Sequence, residues 1–340
     1  MKITTIGFDL AKDVFQVHAV DERGHAVLKR QLKRSQVATF FANLPPCLVG
    51  MEACSSAHHW ARKLQGLGHT TRLIATQFVK AYVKSNKNDA ADAEAICEAV
   101  ARPNMRFVPI KNVEQQAVLA LHRARHALVK ARTAQANQIR GLLAEFGLII
   151  PKGITYIRAR VPQLLEDAGN ELPSEFRLLI ERLTQHLIEL RRRADEIGAQ
   201  IETWHRNSDL SRRLIAIPGV GPMSASALAA SVGDGRNFTN GRQLAAWLGL
   251  VPRQSSTGGK NVLLGMSKRG DAYLRTLLIH GARAIISRVR QKQHSNPWVL
   301  NVMERRNRNV AAVALANKNA RIAWALLAHN RHYRADYAAA

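Results

Sequence analysis

Two strand-like apolar runs each end in a carboxylate, and this constrains the chain more than any other feature. Ile3-Thr4-Thr5-Ile6-Gly7-Phe8 leads into Asp9, and Cys47-Leu48-Val49-Gly50-Met51 leads into Glu52, the only acidic side chain between Arg23 and Asn88. Two further acids, Asp89 and Asp92, stand three apart in Asn88-Asp89-Ala90-Ala91-Asp92-Ala93-Glu94-Ala95, a spacing that puts them on one face of a helix. Carboxylates gathered in one place repel one another and resist desolvation unless a divalent cation neutralises them. Hard oxygen donors suit Mg²⁺ or Mn²⁺. The natural substrate of such a site is a phosphodiester.

The charge balance points to the same partner. With 50 Lys+Arg against 25 Asp+Glu, the formal net charge is +25 and the pI is near 11.0; such an excess favours polyanions through counterion release. A basic membrane-surface protein is the rival, but no apolar run is long enough to span a bilayer and the N-terminus does not read as a signal peptide, so a cytoplasmic protein is expected. Cys47, Cys54 and Cys97 lack zinc-ligand spacing and are too few for a disulfide framework. They read as buried or incidental thiols. A chain of 340 residues with 46% hydrophobic content can bury two or three cores.

The first hundred residues read as three strands, a helix, a strand, a helix, a strand and a helix. Strands are expected over Ile3 to Phe8, Val14 to Val20, from the Asp21-Glu22-Arg23-Gly24 turn to about Leu32, at Leu48 to Met51, and over Thr71 to Ala75. Ser35 is expected to cap one helix and Ser55 or Ser56 the next, with an Ala-rich helix starting near Asp89. This is the order of an α/β RNase H-like fold, here assigned to residues 1–108, and such a fold would gather Asp9, Glu52, Asp89 and Asp92.

Residues 109–207 read as a helical or coiled-coil linker and oligomerisation region. His122, Arg123, Arg125, His126, Lys130 and Arg132 read as basic side chains around an apolar stripe. Phe176, Ile180, Leu183, Leu187, Leu190, Ala194, Ile197, Ile201 and Trp204 alternate in steps of four and three, a heptad seam. Pro151, Gly153, Pro162, Gly169 and Pro173 break the chain between these helices, which could fold back as an antiparallel pair or pair with another subunit. An ordinary amphipathic helix in a bundle fits the same pattern.

Residues 208–340 read as a mostly α region. Leu214 to Pro218, then Gly219-Val220-Gly221, then a helix from about Ser224 is a helix-hairpin-helix-like pattern, in which glycines let the backbone approach a phosphate; a plain helical turn is the alternative. Gly249 to Lys260 then puts Ser255, Ser256 and Thr257 on a Gly-rich loop among Arg253, Lys260, Lys268, Arg269 and Arg275. A hydroxyl there can act as a nucleophile on a phosphate whose charge the cations hold, although loops of this composition are most often solvated connectors.

Five separated motifs in fixed order carry a family resemblance over nearly the whole chain: Ile6-Gly7-Phe8-Asp9 with Ala11-Lys12, Met51-Glu52-Ala53, Asn88 to Ala93, Ile217 to Gly221, and the Ser/Thr-Gly-Gly-Lys segment followed by Ser267-Lys268-Arg269-Gly270. Together they resemble the insertion-sequence 110 family of transposases, and Asn309 to Lys318 resembles its 1111 subgroup. The resemblance implies an N-terminal RuvC-like domain with an Asp-Glu-Asp-Asp metal site, falling on Asp9, Glu52, Asp89 and Asp92, and a C-terminal transposase domain with a serine nucleophile. It also implies a noncoding guide RNA from the element's own end, pairing with donor and target double-stranded DNA. The family's serine precedes a glycine; an ungapped match puts Thr257 there, with Ser256 beside it. Ser256 is favoured because a primary hydroxyl is less hindered, with Ser255 and Thr257 as alternatives.

The expected function is therefore metal-assisted, serine-mediated strand cleavage and exchange by a dimer or tetramer. Asp9, Glu52, Asp89, Asp92 and Ser256 are the catalytic set, and Gly219, Gly221, Arg253, Lys260, Lys268, Arg269 and Arg275 the nucleic-acid contacts. A Mg²⁺-dependent RuvC-like nuclease without a covalent intermediate is the main alternative. An architectural DNA or RNA binder explains the charge but not Asp9 and Glu52.

Overall fold

The computed structural model describes residues 2–84, 88–291 and 296–334, and no helix in them is long and apolar enough to cross a membrane. The chain forms two compact units, Met1–Glu114 and Gln115–Ala340.

A mixed six-stranded sheet organises the first unit. β1 (Thr5–Asp9), β2 (Val14–Val20) and β3 (Ala26–Lys33) form an antiparallel meander. After α1 (Val37–Ala42), β4 (Leu48–Glu52) returns parallel to β1; after α2 (Ala57–Gly66), β5 (Thr70–Ile74) lies parallel to β4. The short α3 (Thr76–Val79), α4 (Asp89–Val100) and β6 (Phe107–Val108) follow, giving the order β3-β2-β1-β4-β5-β6. The elements expected from the sequence are present in order, with α3 and β6 in addition.

Alternation along the strands sorts the two faces of the sheet. Ile6, Phe8, Val49 and Met51 join a closed core with Phe15, Phe41, Trp60 and Leu64, where the Phe8 ring lies 5.1 Å from Phe41 and 5.4 Å from Phe15. On the opposite face α4 crosses directly over two glycines. A Cβ at Gly7 would stand 2.0 Å from the Ala93 carbonyl oxygen, and one at Gly50 would stand 2.7 Å from the Val100 Cβ. The absence of side chains there lets α4 lie close against β1 and β4.

Asn88 caps α4 where the sequence places its start, accepting from the Ala90 amide at 3.0 Å. The two expected serine caps are not made. A 3₁₀ turn, Arg34–Gln36, precedes α1, and Gln36 accepts from the Lys33 amide instead of Ser35 acting as the cap. Ser56 does precede α2, but at φ 66° it makes no side-chain cap bond, because a capping hydroxyl needs extended backbone to reach the helix amides.

The second unit is helical apart from one hairpin. α5 (Val113–Ala144) and α7 (Ser174–Asn207) are its long helices, and α6 (Ile154–Glu166) forms between them in a stretch expected to be broken. Pro151 and Gly153 precede α6, and Gly169 and Pro173 follow it, so those residues do end helices; Pro162 is accommodated inside α6. Ile157 and Val161 anchor α6 in a cluster with Ala136, Ile139, Leu143, Ile180 and Leu187, and this packing outweighs the hydrogen bond lost at Pro162. The heptad stripe of α7 is thus covered within the chain: Ile180, Leu187, Leu190, Ala194 and Ile201 are buried, and Trp204 packs against Val118, Leu119 and Ala230. Within one chain the α7 stripe packs on α6 and shares an apolar cluster with α5.

His122 corrects another expectation. It is 1% exposed and not part of a basic surface; burial, then the charge of Arg125, pulls it down to about 4, so it is neutral. Ser226 Oγ donates to the Pro222 carbonyl at 2.6 Å, which leaves it accepting from His122 Nε2 at 3.0 Å, while the Tyr273 hydroxyl donates to Nδ1 at 2.9 Å.

α8 (Asp209–Leu214), α9 (Pro222–Val232), α10 (Gly241–Trp247), the hairpin of β7 (Pro252–Gln254) and β8 (Leu263–Met266), α11 (Ala272–Arg290), α12 (Pro297–Arg305) and α13 (Arg308–Ala328) complete the unit. α9 is buried at every position from Ser224 to Val232 and forms the centre of their common core.

Candidate active site

Asp9 is the last residue of β1 and Glu52 the last of β4. The strands are parallel neighbours with Phe8 opposite Met51, so both carboxylates leave the same end of the sheet. Asp89 and Asp92 lie in the first turn of α4, where the positive end of the helix dipole favours negative charge. Asp9 senses the other three. Asp9 is pushed up to about 6, first by burial and then by the charges of Asp92, Asp89 and Glu52.

Thr76, at the start of α3, donates its hydroxyl to Glu52 Oε1 at 2.6 Å and fixes that carboxylate. Nothing near Glu52 in sequence announces this partner. Cys54 also lies in the field of the site: burial, then Glu52 and Asp9, push its thiol up to about 11. Cys47 and Cys97 are buried and, like Cys54, free.

Among the described residues no three acidic, histidine or cysteine side chains already converge as a finished metal cage. The donor set nevertheless fits a hard divalent cation. Burial, then the charges of the other three carboxylates, raises the proton affinity of Asp9, and a cation binding there relieves the repulsion that favours a proton.

In the second unit, the loop expected to carry a nucleophile is the tip of the β7–β8 hairpin. Gly258 and Gly259 take φ of 53° and 77° between Thr257 and Lys260, the two successive left-handed residues that a tight hairpin turn needs. Ser256 is the one of the three hydroxyl residues whose side chain is held: its Oγ accepts from Gln254 Nε2 at 2.8 Å and donates to Asn261 Oδ1 at 3.1 Å. Gln254 also donates to Asn261 at 3.3 Å, closing a triangle. Gln254 and Asn261 were not anticipated, although a hairpin register brings residues 254, 256 and 261 to one face.

The flanking cations divide into two kinds. Arg253, Lys260, Lys268 and Arg269 are exposed, whereas Arg275 donates to the Leu248 carbonyl at 3.1 Å and so holds the end of α10. The Lys268 to Gly270 segment is pressed onto that same end: a Cβ at Gly249 would lie 2.0 Å from the Arg269 carbonyl oxygen, and one at Gly270 would lie 1.8 Å from that of Trp247.

Gly219 has φ 87° and faces α11, where a Cβ would come within 2.8 Å of the Gly281 carbonyl oxygen. Its conformation thus serves internal packing. Gly221 has open space around it, and α9 begins directly after it at Pro222, not at Ser224, as proline suits a first helical position. Two asparagines of α13 tie down the candidate loops: Asn319 donates to the Pro218 carbonyl at 2.8 Å, and Asn317 to that of Leu250 at 3.2 Å. These bonds give a structural use to the C-terminal motif.

Comparison with known proteins gives this arrangement its class. Residues 6–147 match a DEDD-type transposase family model, and residues 211–298 match the model described as Transposase IS116/IS110/IS902 family. A probable family 20 transposase from Pseudomonas aeruginosa is 55% identical over 98% of this chain and 99% of its own. The transposase for insertion sequence element IS1111A from Coxiella burnetii is 46% identical over 98% and 92%, and that for IS1328 from Yersinia enterocolitica 45% over 95% and 96%. A sheet presenting acids at its strand ends, joined to a helical unit with a basic hairpin, is here the framework of a DNA transposase. The chain belongs to the IS116/IS110/IS902 family of transposases. The DEDD match also points to a divalent metal ion.

Proposed function

We propose that this transposase breaks and rejoins DNA by metal-assisted serine chemistry, with Asp9, Glu52, Asp89 and Asp92 as the metal ligands and Ser256 as the nucleophile. The observation that carries the reading is the placement of the acids: Asp9 and Glu52 end the parallel neighbours β1 and β4, and Asp89 and Asp92 lie in the first turn of α4. The sheet order, with an antiparallel meander followed by two parallel strands, supports an RNase H-like, RuvC-like assignment for residues 1–108. Residues 109–207 act as a helical spacer with its own apolar cluster, and residues 208–340 as the transposase domain.

Mg²⁺ or Mn²⁺ at the carboxylates supplies neutralisation of charge on the phosphoryl oxygens. Thr76 holds Glu52 in place for that cation. Asn261 and Gln254 orient the Ser256 hydroxyl. Ser256 Oγ attacks phosphorus and loses its proton, a P–O bond to the sugar breaks, and the sugar oxygen takes up a proton as it leaves. The phosphoserine ester keeps the bond energy, so attack by a new sugar hydroxyl reverses the step on another strand. Arg253, Lys260, Lys268 and Arg269 hold phosphates of double-stranded donor and target DNA.

Strand exchange brings two duplexes together, so the working form is a dimer or tetramer; because the α7 stripe is already covered, its contacts lie elsewhere. A noncoding guide RNA from the element fits the net charge of +25, and the enzyme acts on the nucleoid in the cytoplasm. The test is cleavage of a plasmid carrying the element's ends. Asp9→Asn, Glu52→Gln, Asp89→Asn and Asp92→Asn should each abolish cleavage while retaining nucleic-acid affinity, since each change is nearly isosteric. Full cleavage by Asp9→Asn and Glu52→Gln overturns the metal assignment.

A further inference from the structure

Beside the carboxylates, within the first unit, lies a cavity of about 290 Å³ between the β2–β3 hairpin and the start of α4. Its walls include Gln16, His18, Lys29, Gln31, Ala91 and Glu94. Strand register ties it to the site. Asp9 is paired with Gln16, and Gln16 with Gln31; Gly7 is paired with His18, and His18 with Lys29. Paired residues project from the same face, so Asp9, Gln16 and Gln31 form one row and Gly7, His18 and Lys29 the next. α4 lies on the β1 end of this face, against Gly7. The β2–β3 end stays open, and Ala90 and Ala91, between the two aspartates of α4, give it a wall of small side chains.

The chemistry of the cavity is that of a reader of neutral polar edges. His18 is 7% exposed, and burial lowers its proton affinity, leaving the imidazole one donor and one acceptor. Neither it nor the carboxamides of Gln16 and Gln31 make a side-chain hydrogen bond to any described residue. Gln16 is half-buried and Gln31 exposed, so their carboxamides stand at the mouth of the cavity, free to pair with a ligand that enters it. Glu94, 3.8 Å from Lys29 across an ion pair, makes the interior unfavourable for a phosphate but can accept from an exocyclic amino group. The volume is near the lower end of small-ligand sites, roughly 300–1,000 Å³.

We infer that this cavity takes one unpaired nucleobase of the DNA strand whose phosphate lies at the carboxylates, with Gln16, His18 and Gln31 reading its edge. The inference rests on the proposed role of those carboxylates. A base seated there is out of its helix, as single-strand recognition requires, and its phosphates stay outside, within reach of Lys29.

Full-length protein is irradiated in Ca²⁺ with random-sequence single-stranded DNA carrying 5-iodouracil, and the crosslinked peptides are identified by mass spectrometry. The expected result is crosslinking to peptides of β2 or β3, with a base preference at one position of the bound pool. In Gln31→Leu, at an exposed position where folding is not at stake, that preference should fall about fivefold or more, the lower range for a bidentate amide–base pair; Gln16→Leu should do the same. Crosslinks confined to α4 and the end of β4, an unbiased pool from the parent protein, or an equal loss of affinity for every sequence in the variants overturns the cavity assignment alone. Absence of any crosslink within residues 1–114 overturns the reading of the carboxylate site as well.

Discussion

Removing the charge of Asp9 should make the metal-free protein more stable while abolishing its activity. Its carboxyl titrates at about 6 instead of 3.8, chiefly through burial and then through Asp92, Asp89 and Glu52. The folded state therefore holds that proton more tightly than the unfolded chain, so stability falls as pH rises from about 4 to about 6, and the deficit persists above that. At about 1.4 kcal/mol per tenfold change in proton affinity, the ceiling is about 3 kcal/mol. Partial solvent screening of a half-buried group reduces this to about 1–2 kcal/mol. Asp9→Asn should thus match the parent near pH 4 and exceed it by that amount at pH 7.5 in EDTA. Urea unfolding followed by ¹⁹F NMR of 5-fluorotryptophan isolates the first unit, since Trp60 is the one tryptophan before residue 115. Adding Mg²⁺ should stabilise the parent and not the variant. A variant less stable than the parent at pH 7.5, or a difference that does not change with pH, refutes the electrostatic account.

Gly7→Ala should destabilise the first unit by about 1–3 kcal/mol, because the new methyl group meets helix backbone that can only shift; the displaced α4 should also lower cleavage, and both effects are measurable on one preparation. Leu187→Lys puts a charge into the cluster of α5, α6 and α7 and should cost at least the roughly 2–5 kcal/mol of a buried leucine truncation, so calorimetry should record lost stability, with light scattering showing no release of folded subunits. Lys260→Ala and Arg269→Ala should each reduce the slope of log affinity against log salt by about 1. RNA purified with the protein should sequence as one defined species and not as a pool of transcripts.

Parts of this structure were legible in the sequence for local reasons. β1 and β4 announce themselves as apolar runs ended by an acid, and Asn88 followed by an alanine-rich stretch marks α4 and its cap. Gly7 and Gly50 could be seen but not understood, since their reason is a helix that begins more than thirty residues beyond the later of the two. α6 was hidden by Pro162, whose helical state depends on the packing of Ile157 and Val161. The β7–β8 hairpin reads as a loop because its exposed strands of three and four residues have no buried face to give a pattern. His122 reads as basic among arginines, and only the closure of Tyr273 and Ser226 around it makes it a neutral core residue. At the candidate site the carboxylates were legible as types in apolar settings, whereas Thr76, Gln254 and Asn261 became visible only when folding brought them to Glu52 and Ser256.

The most direct measurement of the proposed chemistry is a covalent one. A DNA substrate carrying the element's end and a nick that lets the cleaved strand escape is incubated with the protein and Mg²⁺, denatured, and the digested adduct is mapped by mass spectrometry. The account predicts a nucleotide on Ser256, a denaturation-resistant band that disappears in Ser256→Ala, and retention of that band in Ser255→Ala and Thr257→Ser. A nucleotide on Ser255 or Thr257 contradicts the choice of nucleophile. Cleavage that proceeds in Ser256→Ala, Ser255→Ala and Thr257→Ala alike, with no adduct in the parent protein, contradicts the covalent mechanism and leaves a metal-dependent nuclease in its place.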